Sequence, residues 1–225
     1  MGVSPEKLAE LYPRLYHMAE ADSWESIRKR GLLSTSSLLS LFDIDSESRR
    51  TIELCKRGRP HEIKHEKYGR AVIRDQLPIV ESKLRACLQD CSPEEWYAFL
   101  NGRVFFWLCE ERLHVLLGAK TYRNKIHTVL TVETLPLARD YIASIMLSPM
   151  NSGNTVPIAR PRGFTTLKKM SDYPFEQRLR LSPYYTVVEL AVEEGVPNIS
   201  DYTIQVDEMV SDGANVTAVR TLFKR

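Results

Sequence analysis

The chain of 225 residues has no long apolar run and almost no net charge. No segment approaches the roughly 20 apolar residues that a helix needs to cross a bilayer, and the N-terminal residues lack the apolar core of a signal peptide. We therefore expect a cytoplasmic protein that does not span a membrane. The 31 basic and 29 acidic residues leave a formal charge of +2, which by itself predicts no polyanionic partner.

Cysteine is scarce as well: four cysteines lie at positions 55, 87, 91 and 109. They lack the paired CxxC spacing of a zinc ribbon, and they do not suggest a disulfide framework. Cys55 with His61 and His65 has a ligand-like spacing, but no fourth ligand is evident. We predict reduced cysteines and no metal site.

Basic residues are unevenly distributed. Nine lysines and arginines accompany three acids between Arg49 and Arg74, and a second cluster comprises Arg160, Arg162, Lys168 and Lys169. Near a functional site, such clusters would favour a phosphate-bearing ligand or nucleic acid. The alternative is a solvated helix face followed by a loop.

Local signals predict one α+β domain over residues 1–225, with helices early, two or three strands in the middle and further strands late. Ser4-Pro5 and Ser92-Pro93 are typical helix starts, and Asp22 with Glu25 suggests a capping box for a helix that Gly31 ends. We predict further helices at 35–57, 110–119 and 134–145. Strands are predicted at 15–18, 103–108, 126–133, 184–193, 201–207 and 214–223, and loops at 57–69 and 149–163.

Two places in this pattern indicate a functional site. Glu189 lies inside the apolar segment 184–193, where an unpaired carboxylate would cost several kcal/mol. It therefore needs a partner, such as Arg74 or Arg103 in a buried ion pair, or a chemical role. His17 ends a short strand ahead of the capped helix, which would hold its imidazole at a fixed position.

These segments, in this order, resemble the DarT-type ADP-ribosyltransferases. The similar motifs are Leu-Tyr-His17-Met, Ser-Ile-x-x-x-Gly31-Leu-Leu-Ser, Val-Phe-Phe-Trp107 and Val-Glu189-Leu-Ala-Val. Other segments, Ile-Arg74-Asp-Gln, Leu-Asn-Gly-Arg103 and Asn151-Ser-Gly, look closer to an uncharacterised bacterial family distantly related to those toxins. The DarT-type enzymes use NAD to modify DNA bases, and their fold is related to that of the poly(ADP-ribose) polymerases. The resemblance implies a split β-sheet core with N-terminal and inserted helices.

The resemblance also implies roles for individual residues. Glu189 matches the catalytic glutamate, His17 matches the histidine that contacts NAD, and Arg74 is the candidate for the essential arginine, with Arg103 as its substitute. Backbone groups beside His17, including Met18, would hold the nicotinamide amide. The remaining candidates are Tyr16, Gly31 and Trp107 for the cofactor and Asn151 for the acceptor.

The resemblance leaves several functions open. Ala19 and Ser23 replace the threonine and asparagine common in these toxins, so NAD binding is implied but the DNA specificity is not. The first expectation is transfer of ADP-ribose from NAD to a DNA or RNA base, with an antitoxin or an ADP-ribose-removing antagonist as partner. The alternatives are a degenerate module that binds NAD, ADP-ribose or a protein partner, and an RNA 2′-phosphotransferase-like enzyme.

Overall fold

The protein is described here by a computed structural model that covers residues 2–182 and 186–225. These residues form an α+β arrangement in which nine helices surround a large antiparallel sheet. The helices are α1 (Pro5–Leu11), α2 (Trp24–Arg30), α3 (Thr35–Leu41), α4 (Ser46–Leu54), α5 (Glu81–Cys87), α6 (Pro93–Asn101), α7 (Glu110–Leu117), α8 (Thr134–Asp140) and α9 (Phe175–Leu181). The strands are β1 (Arg14–Glu20), β2 (Leu32–Leu33), β3 (His61–His65), β4 (Gly69–Ile73), β5 (Arg103–Trp107), β6 (His127–Glu133), β7 (Ile145–Ser148), β8 (Lys168–Lys169), β9 (Glu189–Glu193), β10 (Gly195–Val196), β11 (Thr203–Ser211) and β12 (Val216–Lys224).

The large sheet has the strand order β12-β11-β6-β1-β5-β9-β7-β8 and consists of two halves. Strand β1 pairs with β6 along all seven of its residues, and β5 pairs with β9 along all five of its residues. Between the halves, β1 and β5 pair at a single position within the described residues, Tyr16 opposite Trp107. Beyond that pair the two strands diverge, which leaves a split in the middle of the sheet.

Apolar side chains cover both faces of the sheet and so fix its position. The largest cluster includes Leu15, Phe106, Leu130 and Leu190, all at most 1% exposed. A second cluster packs α5 and α6 against β9 through residues such as Trp96 and Ala191. Because side chains alternate along a strand, β5 and β9 each contribute to clusters on both faces.

Short-range capping signals predicted several helix starts correctly. The Ser4 hydroxyl accepts a hydrogen bond from the Lys7 amide at 3.2 Å, and Pro5 begins α1. Ser92 and Glu95 form the complete capping box of α6. Asp45 likewise caps α4 by accepting hydrogen bonds from two backbone amides.

Other local predictions were wrong. The polar run 57–69 is not a loop, because its second half belongs to the β3–β4 hairpin, which packs Ile63 and Ile73 against α3 and α4. Helix α2 begins after Ser23 without a side-chain cap, and Asp22 has a φ of 62°, so the capping box does not form.

Three further boundaries differ from the predictions. The predicted helix 35–57 is two helices, and the predicted helix 134–145 ends at Asp140 before strand β7. Strand β9 begins only at Glu189, and residues 183–185 lie outside the described residues. The strand predicted at 15–18 is confirmed as β1 at residues 14–20, but its central position in the sheet was not predicted.

Candidate functional site

The split in the sheet is part of the wall of a cavity of about 630 Å³, which we call the central cavity. Its walls come from the diverging parts of β1 and β5, from α2, from the segment 70–79 and from the loop 151–153. The volume falls within the range of about 300–1,000 Å³ typical of small-molecule and cofactor sites. The cavity brings together eight of the nine site residues predicted from the sequence. They are His17, Met18, Gly31, Arg74, Arg103, Trp107, Asn151 and Glu189, and Tyr16 is the predicted residue that does not line it.

Glu189 lies in the wall of the central cavity at the start of β9. It is 5% exposed and stands opposite Trp107 in the β5–β9 register, so the two side chains are neighbours on one face of the sheet. Burial raises the pKa of Glu189 to about 7, although hydrogen bonds from Ser152 and the positive charges of Arg162 and Arg112 act in the opposite direction. Near neutral pH this carboxyl group is therefore present in both protonation states.

The partner of Glu189 is Ser152 rather than Arg74 or Arg103, so the expected ion pair does not form. The amide and the hydroxyl group of Ser152 both donate hydrogen bonds to Oε2 of Glu189, at 2.8 and 2.7 Å. Ser152 lies in the predicted loop 149–163, next to Asn151, the residue predicted to contact the acceptor. Its role was missed because hydrogen bonding between residues 37 positions apart has no local sequence signal.

His17 lines the central cavity on the other side of the split. Its Nδ1 lies 2.8 Å from the carbonyl oxygen of Phe105, so the side chain bridges the diverging strands β1 and β5. A carbonyl oxygen only accepts hydrogen bonds, so Nδ1 carries the proton. Burial lowers the pKa of His17 to about 4, and the ring is therefore neutral at pH 7 with Nε2 as a hydrogen-bond acceptor.

Arg74 also lines the cavity, but its charge is already balanced. Its Nε donates to Glu20 at 3.1 Å, its Nη1 donates to the Met18 carbonyl at 3.0 Å, and its guanidinium lies over the ring of Tyr122. Only Nη2 is buried without a partner among the described residues. Because the Met18 carbonyl already accepts a hydrogen bond from Arg74, a ligand amide that bound there would share this acceptor with Arg74.

Arg103 is likewise already paired, and only its Nε is buried without a partner among the described residues. Its Nη2 donates to Glu193 at 2.8 Å, its Nη1 donates to the Phe99 carbonyl at 2.5 Å, and the guanidinium stacks on the Phe99 ring at 3.8 Å. Lys169 completes the cluster by pairing with Glu193 at 2.6 Å. Arg103 thus connects β5 to α6 and β9, and binding an anionic ligand would cost these contacts.

Arg57 is a cavity residue that the sequence prediction missed. It is only 6% exposed, and its guanidinium donates to three neutral oxygens, those of Ile52, Arg74 and the Asn101 side chain, at 2.7, 2.8 and 2.9 Å. Burial lowers its pKa to about 10, and Asp75 raises it. A buried cation without an ion-pair partner is costly, and an anion in the cavity would relieve that cost.

The other cations of the central cavity differ from Arg57. Lys29, Arg70, Arg74 and Arg103 each form an ion pair with a glutamate. Among the described residues, Arg57 and Arg30 are the cavity-lining cations without an acidic partner, and Arg30 donates to the Ser26 hydroxyl at 2.9 Å. These two guanidinium groups are therefore not ion-paired, although the carboxylates of Asp22 and Asp75 also line the cavity.

Of the remaining predicted residues, Gly31 and Asn151 line the central cavity and Tyr16 does not. Tyr16 lines a second cavity of about 220 Å³ and packs beside Leu113 and Met18. Gly31 has a φ of 89°, and a Cβ at this position would lie 2.4 Å from the Cα of Pro197, so close backbone packing explains this glycine. Asn151 lines the cavity, and its side-chain oxygen accepts a hydrogen bond from the Gly153 amide at 3.0 Å.

Neither a metal cluster nor a membrane span is found in the described part of the chain. Residues 2–182 and 186–225 contain no group of three or more His, Cys, Asp or Glu side chains placed to hold a metal ion. Over the same residues, no helix has the length and apolar character required to cross a bilayer.

The fold and cavity define an α+β protein with a candidate ligand site at a split in its main sheet. The chain belongs to the family of unknown function DUF7002, whose family model matches residues 13–203. The matched range contains every residue of the central cavity. No curated protein and no solved structure matches the chain.

Proposed function

We propose that this protein is an NAD-dependent ADP-ribosyltransferase whose acceptor is a nucleic-acid base. The observation that carries the proposal is the buried carboxyl group of Glu189 in the same cavity as a neutral histidine, His17. Arg57 supports it, because its buried guanidinium forms no ion pair among the described residues and would suit the diphosphate of NAD. The split sheet agrees with the DarT-like arrangement that the sequence resemblance implies.

The chemistry assigns a role to each of these groups. Breaking the bond between ribose and nicotinamide develops positive charge on the sugar, and nicotinamide leaves with the bonding electrons. The ionised Glu189 would stabilise that charge and then accept the proton that the acceptor base loses when it attacks the ribose carbon. Nε2 of His17 would accept a hydrogen bond from a ribose hydroxyl, and Arg57 would hold the diphosphate.

The first test is calorimetric titration of the protein with NAD, which requires no knowledge of the acceptor. We expect the wild type to bind NAD, and we expect His17→Ala to weaken binding by at least about tenfold, because a hydrogen bond and part of the cavity wall are lost. Absence of NAD binding by the folded wild type would refute the proposal.

The second test measures the release of nicotinamide from NAD. Glu189→Gln keeps the shape of the side chain but removes its charge, so we expect turnover to fall by about 10²–10³-fold with NAD affinity largely retained. Glu133→Gln is the control, since Glu133 is also a glutamate at the end of a strand of the sheet but does not line the cavity. Equal turnover in Glu189→Gln and wild type would exclude the proposed role of Glu189.

A second candidate function is an RNA 2′-phosphotransferase-like activity, which also uses NAD. The observation that favours it is the pair of cavity arginines without acidic partners, Arg30 and Arg57, because such an enzyme must hold a phosphate group with arginine and histidine side chains. Incubation with NAD and a 2′-phosphorylated RNA distinguishes the two functions. Loss of the 2′-phosphate would favour this candidate over base modification.

A further inference from the structure

We propose that Ser152 and Arg162 are positioning residues that hold the Glu189 carboxyl group with one oxygen fixed and the other left for a ligand. Neither residue belonged to the site predicted from the sequence. The kinetic part of this inference rests on the proposed function, whereas the orientation of Glu189 can be tested without any substrate.

The geometry around Ser152 fixes the carboxyl group. Both donors of Ser152, its amide and its hydroxyl, point to the same oxygen of Glu189, Oε2. Oε1 has no hydrogen-bond partner among the described residues. Two donors on one oxygen restrict rotation of the carboxyl plane, and this arrangement distinguishes the two oxygens before any ligand binds.

Arg162 in turn holds Ser152. It is 2% exposed, and its Nη1 donates to the Ser152 carbonyl at 2.9 Å, while its Nε donates to the Arg160 carbonyl at 3.1 Å. Its own backbone is tied to the end of α5, since the Arg162 amide donates to the Cys87 carbonyl at 2.9 Å. The guanidinium therefore crosses the loop and fixes the position of Ser152.

A second anchor connects this loop to the arginine side of the cavity. The Thr155 amide donates to the Pro78 carbonyl at 3.1 Å, and the Thr155 hydroxyl accepts from the Val80 amide at 2.7 Å. Pro78 follows Arg74 in the cavity wall. The loop that bonds to Glu189 is thus also tied to the cavity-lining segment that contains Arg74 and Pro78, as a positioning role requires.

Loss of the Ser152 hydroxyl has a defined electrostatic consequence. Ser152 favours the ionised carboxylate of Glu189, as do the charged groups Arg162 from the loop and Arg112 from α7, while burial opposes ionisation. Ser152→Ala removes the hydroxyl donor but keeps the amide. Glu189 should then ionise at a higher pH, with a shift of about one pH unit for one charge-assisted hydrogen bond.

The experiment is an NMR titration of the chain of 225 residues with ¹³C-labelled glutamate side chains, in which Glu189→Gln identifies the Glu189 signal. We expect a midpoint of about 7 in the wild type and a higher midpoint in Ser152→Ala. Ser148→Ala is the matched control. Ser148 is also buried and stands opposite Glu189 in the register, but its hydroxyl bonds to Met150.

An unchanged midpoint in both serine variants would overturn the positioning role, and so would an equal shift in both. Arg162→Met provides a second variant if Ser152→Ala does not fold. It should also raise the midpoint, because it removes a positive charge and releases the Ser152 carbonyl.

The kinetic readout is the pH profile of nicotinamide release. Ser152→Ala should lower kcat more than it changes KM, and it should move the rising limb of the profile to higher pH. Ser152→Thr keeps the hydroxyl group, so it should return both kcat and the position of the rising limb towards the wild-type values. A shifted NMR midpoint in a protein that releases no nicotinamide would refute the proposed function and leave the positioning of Glu189 intact.

Discussion

Arg57 and Arg74 both line the central cavity, but they differ in whether the guanidinium already forms an ion pair. Arg74 lies 3.1 Å from the Glu20 carboxylate, whereas the guanidinium of Arg57 contacts only neutral oxygens among the described residues. An anionic ligand gains most from the charge that is not yet paired, because a paired arginine has to share its field with the existing acid. We therefore expect Arg57 to contribute more than Arg74 to the binding of a phosphate-bearing ligand.

The comparison of Arg57→Met with Arg74→Met tests this order. We expect Arg57→Met to weaken NAD binding by about 10–100-fold, the equivalent of one charge-assisted hydrogen bond, and Arg74→Met to have a smaller effect. Calorimetry measures the affinities, and thermal unfolding shows whether each variant is folded. A larger loss of affinity in a folded Arg74→Met variant would reverse the assignment.

The residues at the site were predicted to different extents for physical reasons. Glu189 and His17 were singled out because a charged residue in an apolar segment and a histidine ahead of a helix start are visible locally, although His17 lies in the middle of β1 and not at its end. Arg57 was missed because its neighbours Lys56, Gly58 and Arg59 indicate a surface loop. Its burial depends on contacts with Asn101 and other residues that are distant in the sequence.

At the scale of elements, signals that act within one turn were the most successful. The caps of α1 and α6 depend on residues three positions apart, so the sequence contains them completely. The β3–β4 hairpin was missed because its strands are polar and each buries only one large apolar residue, Ile63 or Ile73. The pairing of these two polar strands depends on the packing of Ile63 and Ile73 against α3 and α4. A local sequence pattern does not show such packing.

Gly31 lies where the end of α2 packs closely against the backbone that follows β10, and a substitution there tests this packing. Its φ of 89° and the 2.4 Å from an added Cβ to the Cα of Pro197 leave no room for a side chain between the end of α2 and the backbone after β10. Gly31→Ala should therefore lower the free energy of unfolding by about 2–4 kcal/mol through strain and displaced backbone.

Gly58→Ala is the matched control, because no atom lies within 4 Å of an added Cβ there and φ is not positive. Denaturant unfolding should show a change of less than about 1 kcal/mol for this variant. Equal stability of the two variants would contradict the close approach at Gly31.

At the scale of the whole molecule, the site depends on a topology that the order of elements along the chain does not reveal. The sheet places β1 between β6 and β5, so His17 meets a strand about 90 residues later, and Glu189 joins from a strand later still. These pairings depend on long-range packing. The α+β class was predicted correctly, whereas the central position of β1 was not.

The opposite pKa shifts at the site also affect the stability of the whole protein. The pKa of Glu189 is about 7 in the folded protein and about 4.5 in an unfolded chain, so the folded state holds an extra proton between these values. Stability due to Glu189 is therefore present below pH 4.5 and is lost as the pH rises through 7. His17, with its pKa lowered to about 4, has the opposite effect, because the unfolded chain takes up a proton as the pH falls below 6.5.

A comparison of wild type with Glu189→Gln isolates the first effect, since His17 is common to both proteins. Between pH 5 and pH 8, the free energy of unfolding of Glu189→Gln should rise relative to wild type by about 2–3 kcal/mol, as measured by denaturant unfolding. Glu193→Gln is the control. Burial raises the pKa of Glu193, but Lys169 and Arg103 lower it by more, so its stabilising effect is lost only at pH values below this range. A constant difference between Glu189→Gln and wild type over the same range would show that Glu189 is already ionised at pH 5, and the cavity would then hold a permanent carboxylate.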